Sequence, residues 1–497
     1  MRIVLALAVA AVLLASAASA APTEDLVPIT PGFGKTSFKT YSGYLDLANG
    51  HHYHYMFAES QRSPEKDPVV IFQNGGPGSS SLIFFYTEGG PLNTNIHSLA
   101  SNTSGVPTLF ANPYAWNTVA NVLVIESPAT VGFSYCDTPC SFNDTSTAID
   151  NYHAVLKFFE KFPEFVANDF YVTGESYAGV YGIMLADLID KNSNNINLKG
   201  IALADGCIGL EIGTCSPQAM RIQSETLAAF HMMSPLTFAE MKAVCTDWAA
   251  PNTQCSALID RMNDEAGNFF IYNVLDNCAN TQLSLNDRYD VVESGARIDR
   301  MWHDKRWNKH ALAGDDWEWR ASIDVYGIHD AERAAVAARV AELRAAGNLG
   351  QPGTYICGAE TAMAAYLKNP DVLKALHIRT DVHRYPFQYS RTAMDLRPVY
   401  ADLATKYRVL IQSGMEDDCV PFSGSWEWTA GLGFDTVKSW TPWYYENIYG
   451  SVLGGYKVNY SHDFTFASVM SAGHMIPQFA AQASLSMMER WLDGEPI

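Results

Sequence analysis

The sequence predicts an α/β fold with a mostly parallel central sheet, helices on both faces, and an inserted, partly helical cap. Continuous apolar runs of strand length recur at 69–72, 122–125, 170–173, 201–204, 409–411 and 466–470, and runs without polar alternation suit strands buried on both faces. Helical patterns lie between several of them, as at 148–159 and 180–189, which is the order of parallel strands linked by crossover helices. From roughly Cys207 to Pro370 this rhythm breaks. The stretch carries cysteines, mixed charge and partial helical periodicity, for instance Val336, Val340 and Leu343 at i, i+4 and i+7 before Gly347, and it reads as an insertion.

In chain order, Arg2, the apolar run 3–14 and Ala18-Ser19-Ala20 have the form of a secretory leader over residues 1–20, cleaved before Ala21. The run is well short of the roughly 20 residues that span a bilayer. No other segment is long enough, so no membrane association is expected. Alternating runs at 41–47 and 53–57 joined across Ala48-Asn49-Gly50 signal a hairpin. The expected organisation is then residues 21–206 as the first part of the core, 207–370 as the inserted cap and 371–497 as the second part of the core.

The net charge of -20 argues against nucleic-acid binding, because no basic stripe is present to neutralise phosphates. Nine cysteines behind a secretory leader point to disulfides, and an odd count leaves at least one unpaired. The near neighbours Cys207 with Cys215 and Cys245 with Cys255 are the pairs to expect. No CxxC occurs, which disfavours a metal site, and His51, His52 and His54 lack a third ligand of matching placement. Asn102, Asn143 and Asn459 head triplets of the glycosylation-acceptor form.

Gly174-Glu175-Ser176-Tyr177-Ala178-Gly179 stands between a predicted strand and a predicted helix. Small residues around a serine at that junction permit a sharp turn that lifts Oγ clear of the sheet. Serine needs a positioned base, and the base needs a carboxylate to orient it. In this kind of fold both follow the nucleophile, in the order Ser, Asp, His. Asp417 lies past the strand 409–411 and His474 past the strand 466–470, each beyond a strand's carboxyl end where sites of open α/β sheets gather.

With Asn74-Gly75-Gly76-Pro77-Gly78 and Gly473-His474-Met475 added, the chain resembles the serine carboxypeptidase family, whose lysosomal, vacuolar and secreted members have the α/β-hydrolase fold. The resemblance also runs through Ser42-Gly43-Tyr44, residues 112–117, residues 127–135 and residues 366–377. It implies release of single residues from the carboxyl termini of peptides or proteins through an acyl-enzyme, with an acidic pH optimum and no cofactor. Ser176 is the implied nucleophile, His474 the base and Asp417 its orienter. The amides of Gly76 and Tyr177 are the implied oxyanion hole, and Asn74, Glu88 and Glu175 the implied grip on the substrate carboxylate. The expected location is the secretory pathway, either secreted or lysosomal/vacuolar, with a homodimer left open as the assembly.

The chain departs from the family pattern in places. Ser79 stands where a cysteine is usual, so the family disulfide to Cys357 cannot form. Cys357 is then free or re-paired, with Cys278 one candidate. Met415 and Phe479 replace usual aspartates, and Val180 a usual histidine. Cys419 matches a position that is a free thiol in some relatives. Rival readings on the same scaffold are an acyltransferase or a hydroxynitrile lyase, and in another class a non-catalytic protective or binding subunit. Glu175 favours the peptidase, because acyltransferase relatives commonly carry Asp there, and an intact triad disfavours the binding subunit.

Overall fold

The computed structural model describes residues 21–99, 105–192, 196–267, 269–276, 278, 357–448 and 450–497. Residues 1–20, read as a leader, Asn102 and the periodic stretch at 336–343 lie outside the described residues.

The strands of the main sheet are β1 (Thr40–Asp46), β2 (His51–Ala58), β3 (Val69–Gln73), β4 (Asn121–Ile125), β5 (Phe170–Glu175), β6 (Leu198–Ala204), β7 (Arg408–Gly414), β8 (Thr436–Asn447), β9 (Gly450–Tyr460) and β10 (Phe464–Val469). They lie side by side as β1-β2-β4-β3-β5-β6-β7-β10-β9-β8, and a short strand at Tyr135–Cys136 also pairs with β2. The six from β4 to β10 are parallel to one another. Antiparallel pairs close both ends, the predicted β1–β2 hairpin at one and β8–β9 at the other. This is the α/β-hydrolase arrangement. Sequence reading found each parallel strand and missed β8–β9. That hairpin presents most of β8 to solvent, so its aromatic and charged residues lack the apolar continuity that marked the rest.

Burial on both faces explains that continuity. Ile71, Val172, Leu203 and Ile411 pack with α1 (Asp144–Lys161) and α2 (Ala178–Lys191) in one core. Their neighbours Val70, Tyr171, Ala202 and Leu410 pack on the opposite side with α6 (Ala359–Leu367) and α7 (Ala481–Leu492). Within the region read as an insertion, α3 (Ala219–Ala229), α4 (Pro235–Val244) and α5 (Thr253–Ala266) enclose a separate small core of Met220, Leu227, Met233, Met241 and Met262.

Disulfides join Cys136 to Cys140, Cys207 to Cys215, Cys245 to Cys255 and Cys278 to Cys357, and Cys419 is free and buried. The absence of a cysteine at 79 is thus answered by Cys278. Asn143 caps α1, its carboxamide oxygen accepting from the Ser146 amide at 2.8 Å. The Asn459 Nδ2 donates to Thr465 Oγ1 at 2.9 Å from within β9, so attaching a glycan there requires breaking that bond.

Asp144 opens α1 and is buried. Its carboxylate accepts from the Tyr177 hydroxyl at 2.9 Å, the Tyr389 hydroxyl at 2.7 Å, the Ala393 amide at 2.6 Å, and the amide and hydroxyl of Thr392. One side chain thereby ties the helix, the residue after Ser176 and the segment at 389–393 together. Asp144→Ala leaves these donors unpaired in a dry site, and urea unfolding is expected to show a loss of about 3 kcal/mol. A loss below about 1 kcal/mol, the value of an ordinary hydrogen bond, would show that the network is not holding the segment.

Candidate active site

The sheet changes direction of progression at β3, since β4 lies on one side of it and β5 on the other. Loops leaving such neighbouring strands diverge and open a crevice at their carboxyl ends. Asn74-Gly75-Gly76 leaves β3 there, and Glu175-Ser176 leaves β5.

Ser176 has φ 62°, a left-handed conformation that turns the chain from β5 into α2. The turn is held by the Ser176 amide donating to the Ala204 carbonyl at 3.0 Å and by the Ser176 carbonyl accepting from Gly179 and Cys207 amides at 2.9 and 3.0 Å. Ser176 is only partly buried, between the buried Glu175 and Tyr177. Gly75 passes so close that a Cβ there would stand 2.2 Å from the Tyr177 nitrogen. Gly76 has φ 106°, a conformation that glycine alone adopts without cost. The Gly76 and Tyr177 amides donate to no acceptor among the described residues.

His474 follows β10, and its amide donates to the Tyr272 carbonyl at 2.7 Å. Its Nδ1 is 2.7 Å from Asp417 Oδ2. Asp417 is fully buried and also accepts from the Cys419 amide at 2.7 Å and the Val420 amide at 3.1 Å. These donors fix the carboxylate against the Nδ1 edge of the ring and leave Nε2 facing away from it. His474 Nε2 is buried and has no partner. Both oxygens of the neighbouring Asp418 are buried without donors, so of the two adjacent aspartates it is Asp417 that contacts the imidazole.

Asn74 Nδ2 donates to Glu175 Oε1 at 2.7 Å and to Glu88 Oε1 at 3.2 Å. The opposite end of the same carboxamide accepts from the Phe84 amide at 3.4 Å, which fixes which way it points. Glu88 and Glu175 are buried, and burial pushes both carboxyls up. The neighbouring Glu88 charge raises Glu175 further, so the pair keeps a proton well above the usual carboxylate range.

Sequence reading missed two groups around this crevice. Tyr272 packs its ring 5.0 Å from the His474 ring, and nothing in its irregular surroundings signals that. Asp205 follows β6 at φ 45° and accepts from Ser413 Oγ at 2.8 Å and the Gly414 amide at 3.0 Å. Burial and Asp417 push its carboxyl up. The Asp205-Gly206 pair signals a turn, but not that the carboxylate points inward. The histidines of the hairpin are structural. His54 is fully buried between Glu126 and Ser42, with both contacts at 2.9 Å, and His51 and His52 bond to Asp150 and Asp46.

A parallel sheet with a serine on a strand-to-helix elbow and a histidine–aspartate pair on later loops defines a serine hydrolase of the α/β-hydrolase class. The sequence model of the family described as serine carboxypeptidase matches residues 31–494, and the chain belongs to that family. It is a serine-type carboxypeptidase, a hydrolase. Among its relatives are the lysosomal protective protein of Mus musculus, 34% identical over 97% of this chain and 96% of that one. Serine carboxypeptidase-like 20 of Arabidopsis thaliana is 30% identical, covering 96% of this chain and 94% of its own length. The crystal structure of Kex1(delta)p, a prohormone-processing carboxypeptidase from Saccharomyces cerevisiae, superposes with a TM-score of 0.56 over 95% of each chain at 16% identity, a likeness of fold.

Buried carboxyls with raised proton affinity link folding to pH. The folded chain holds protons on Glu88, Glu175 and Asp205 that the unfolded chain releases above about pH 4.3. Their contribution to stability is present below that pH and is lost as pH rises. The melting temperature is expected to fall between about pH 5 and 8, and Glu175→Gln to make the fall shallower. An equal fall in both proteins would remove the pair as its cause.

Proposed function

We propose that Ser176 Oγ attacks the last peptide carbonyl of a substrate while His474 Nε2 takes its proton. The Gly76 and Tyr177 amides receive the developing oxyanion, and His474 then gives the proton to the leaving amino acid. Water, activated by the same imidazole, hydrolyses the acyl-enzyme. Asp417 orients the ring and stabilises its charged form without taking the proton. Asn74, Glu88 and Glu175 grip the terminal carboxylate.

The observation that supports this reading best is the buried carboxyl pair bridged by Asn74, with one member next to the nucleophile. A substrate terminus is an anion, and two ionised glutamates would repel it. A pair that keeps a proton donates it instead. Endopeptidase or esterase chemistry has no use for such a group.

Four disulfides behind a leader-like segment support a product of the secretory pathway. A proton-holding site supports the lysosome or vacuole, or secretion into an acidic medium. No helix among the described residues is long and apolar enough to cross a membrane. The exposed side chains Val437, Trp440 and Tyr444 on β8, with Ile448 beyond it, supply a strip that a second copy would cover, which supports a homodimer.

Ser176→Ala is expected to lower kcat/KM for a peptide by about 10⁴ or more while leaving the far-ultraviolet spectrum unchanged. Retained turnover would remove Ser176 from the mechanism. The carboxylate grip has its own test, in KM against pH for matched free-acid and amidated peptides. KM for the free acid should rise toward neutrality as the pair loses its proton, and that for the amide should rise much less. Glu175→Gln, a permanent donor, should flatten the rise. Identical flat profiles for both peptides would show that these residues do not hold the terminus.

A further inference from the structure

Lysine is seldom buried without an acidic partner, because taking an ammonium out of water costs far more than its alkyl stem gains. Lys457 in β9 has a covered stem and no acidic partner among the described residues. It is 5% exposed, and its ammonium neither pairs with nor donates to any described residue. It stands opposite Ala467 of β10 and Thr441 of β8. Paired residues share a face of a sheet, and Ala467 belongs to the core beneath α7. Lys457 therefore rises toward α7, while the next residue, Val458, packs on the other side.

Two further cations come to the same place. Arg490 lies in the last turn of α7 and donates from Nη1 to the Tyr444 carbonyl of β8 at 2.8 Å. Lys438 of β8 is in register with Asn459, two residues on from Lys457. Neither forms an ion pair among the described residues, although the chain carries a net charge of -20. Burial pushes the Lys457 ammonium down, and Lys438 and Arg490 push it the same way with no acid opposing them. The Thr441 hydroxyl, opposite Lys457, is buried and has no partner.

We propose that Lys438, Lys457 and Arg490, with the Thr441 hydroxyl, form a binding site for a tetrahedral oxyanion of the phosphate or sulfate class. The three cations supply the opposite charge that such an anion needs. Arg490 adds a fork of donors, and Thr441 one more hydrogen bond. None of the four residues belongs to the catalytic crevice. The anion is free in solution or is an ester carried on a polymer such as a sulfated glycan.

The test is thermal unfolding of the full chain in phosphate against chloride of equal ionic strength. Phosphate at about 50 mM is expected to raise the melting temperature by about 2 to 4 °C through binding to the folded state alone. Lys457→Met should remove that increment and raise the melting temperature in chloride, since it relieves repulsion from Lys438 and Arg490. Arg490→Gln and Lys438→Gln, at more exposed positions, should each cut the increment by at least half without altering kcat/KM, and they stand in if Lys457→Met fails to fold. Retention on immobilised dextran sulfate, lost in Arg490→Gln, would assign the ester, and a phosphate increment without retention the free ion. Equal melting in phosphate and chloride without retention, or an increment that survives all three substitutions, would overturn the site.

Discussion

A carboxyl group removed from water must either find donors or keep its proton, and the carboxyl edge of this sheet is organised by that requirement. Asp417 is the case in which donors are found, with two amides and an imidazole around its carboxylate. Glu88 and Glu175 are the other case, two acids sharing one carboxamide and too deep to ionise together. These opposite solutions stand on adjoining loops of one crevice. The proposed reaction uses both, an oriented base and a neutral donor for the bound anion.

The surrounding framework exists to hold those loops in register. β3 and β5 are hydrogen-bonded neighbours, so the loop carrying Asn74 and Gly76 and the elbow carrying Ser176 start one strand apart. Close packing of Gly75 on the Tyr177 nitrogen then sets the spacing of the two amides. Asp144 reaches the same elbow from behind through the Tyr177 hydroxyl. A displacement of the 389–393 segment would therefore be felt next to Ser176, by way of one carboxylate.

Much of this was legible in the residues. The buried parallel strands announce themselves by unbroken apolar runs, and Ser176, Asp417 and His474 by falling at strand ends in the right order. The β8–β9 hairpin was not legible, because Trp440, Tyr444 and Val437 face solvent and obey no burial pattern. Tyr272 was not legible either. Its contact with His474 depends on an irregular segment folding back over the crevice, which leaves no periodic trace. The pairing of Cys278 with Cys357 came within reach only as one option, since spacing does not select among many connectivities.

The left-handed backbone of Ser176 also sets the course of selection at this position. A residue with a side chain adopts φ 62° at a cost of order 1 kcal/mol or more that glycine escapes. On this backbone term alone glycine is favoured over serine at 176. Stability and activity are opposed at this single residue. Drift under selection for folding alone would remove the elbow hydroxyl and leave the cluster of Asn74, Glu88 and Glu175 in place.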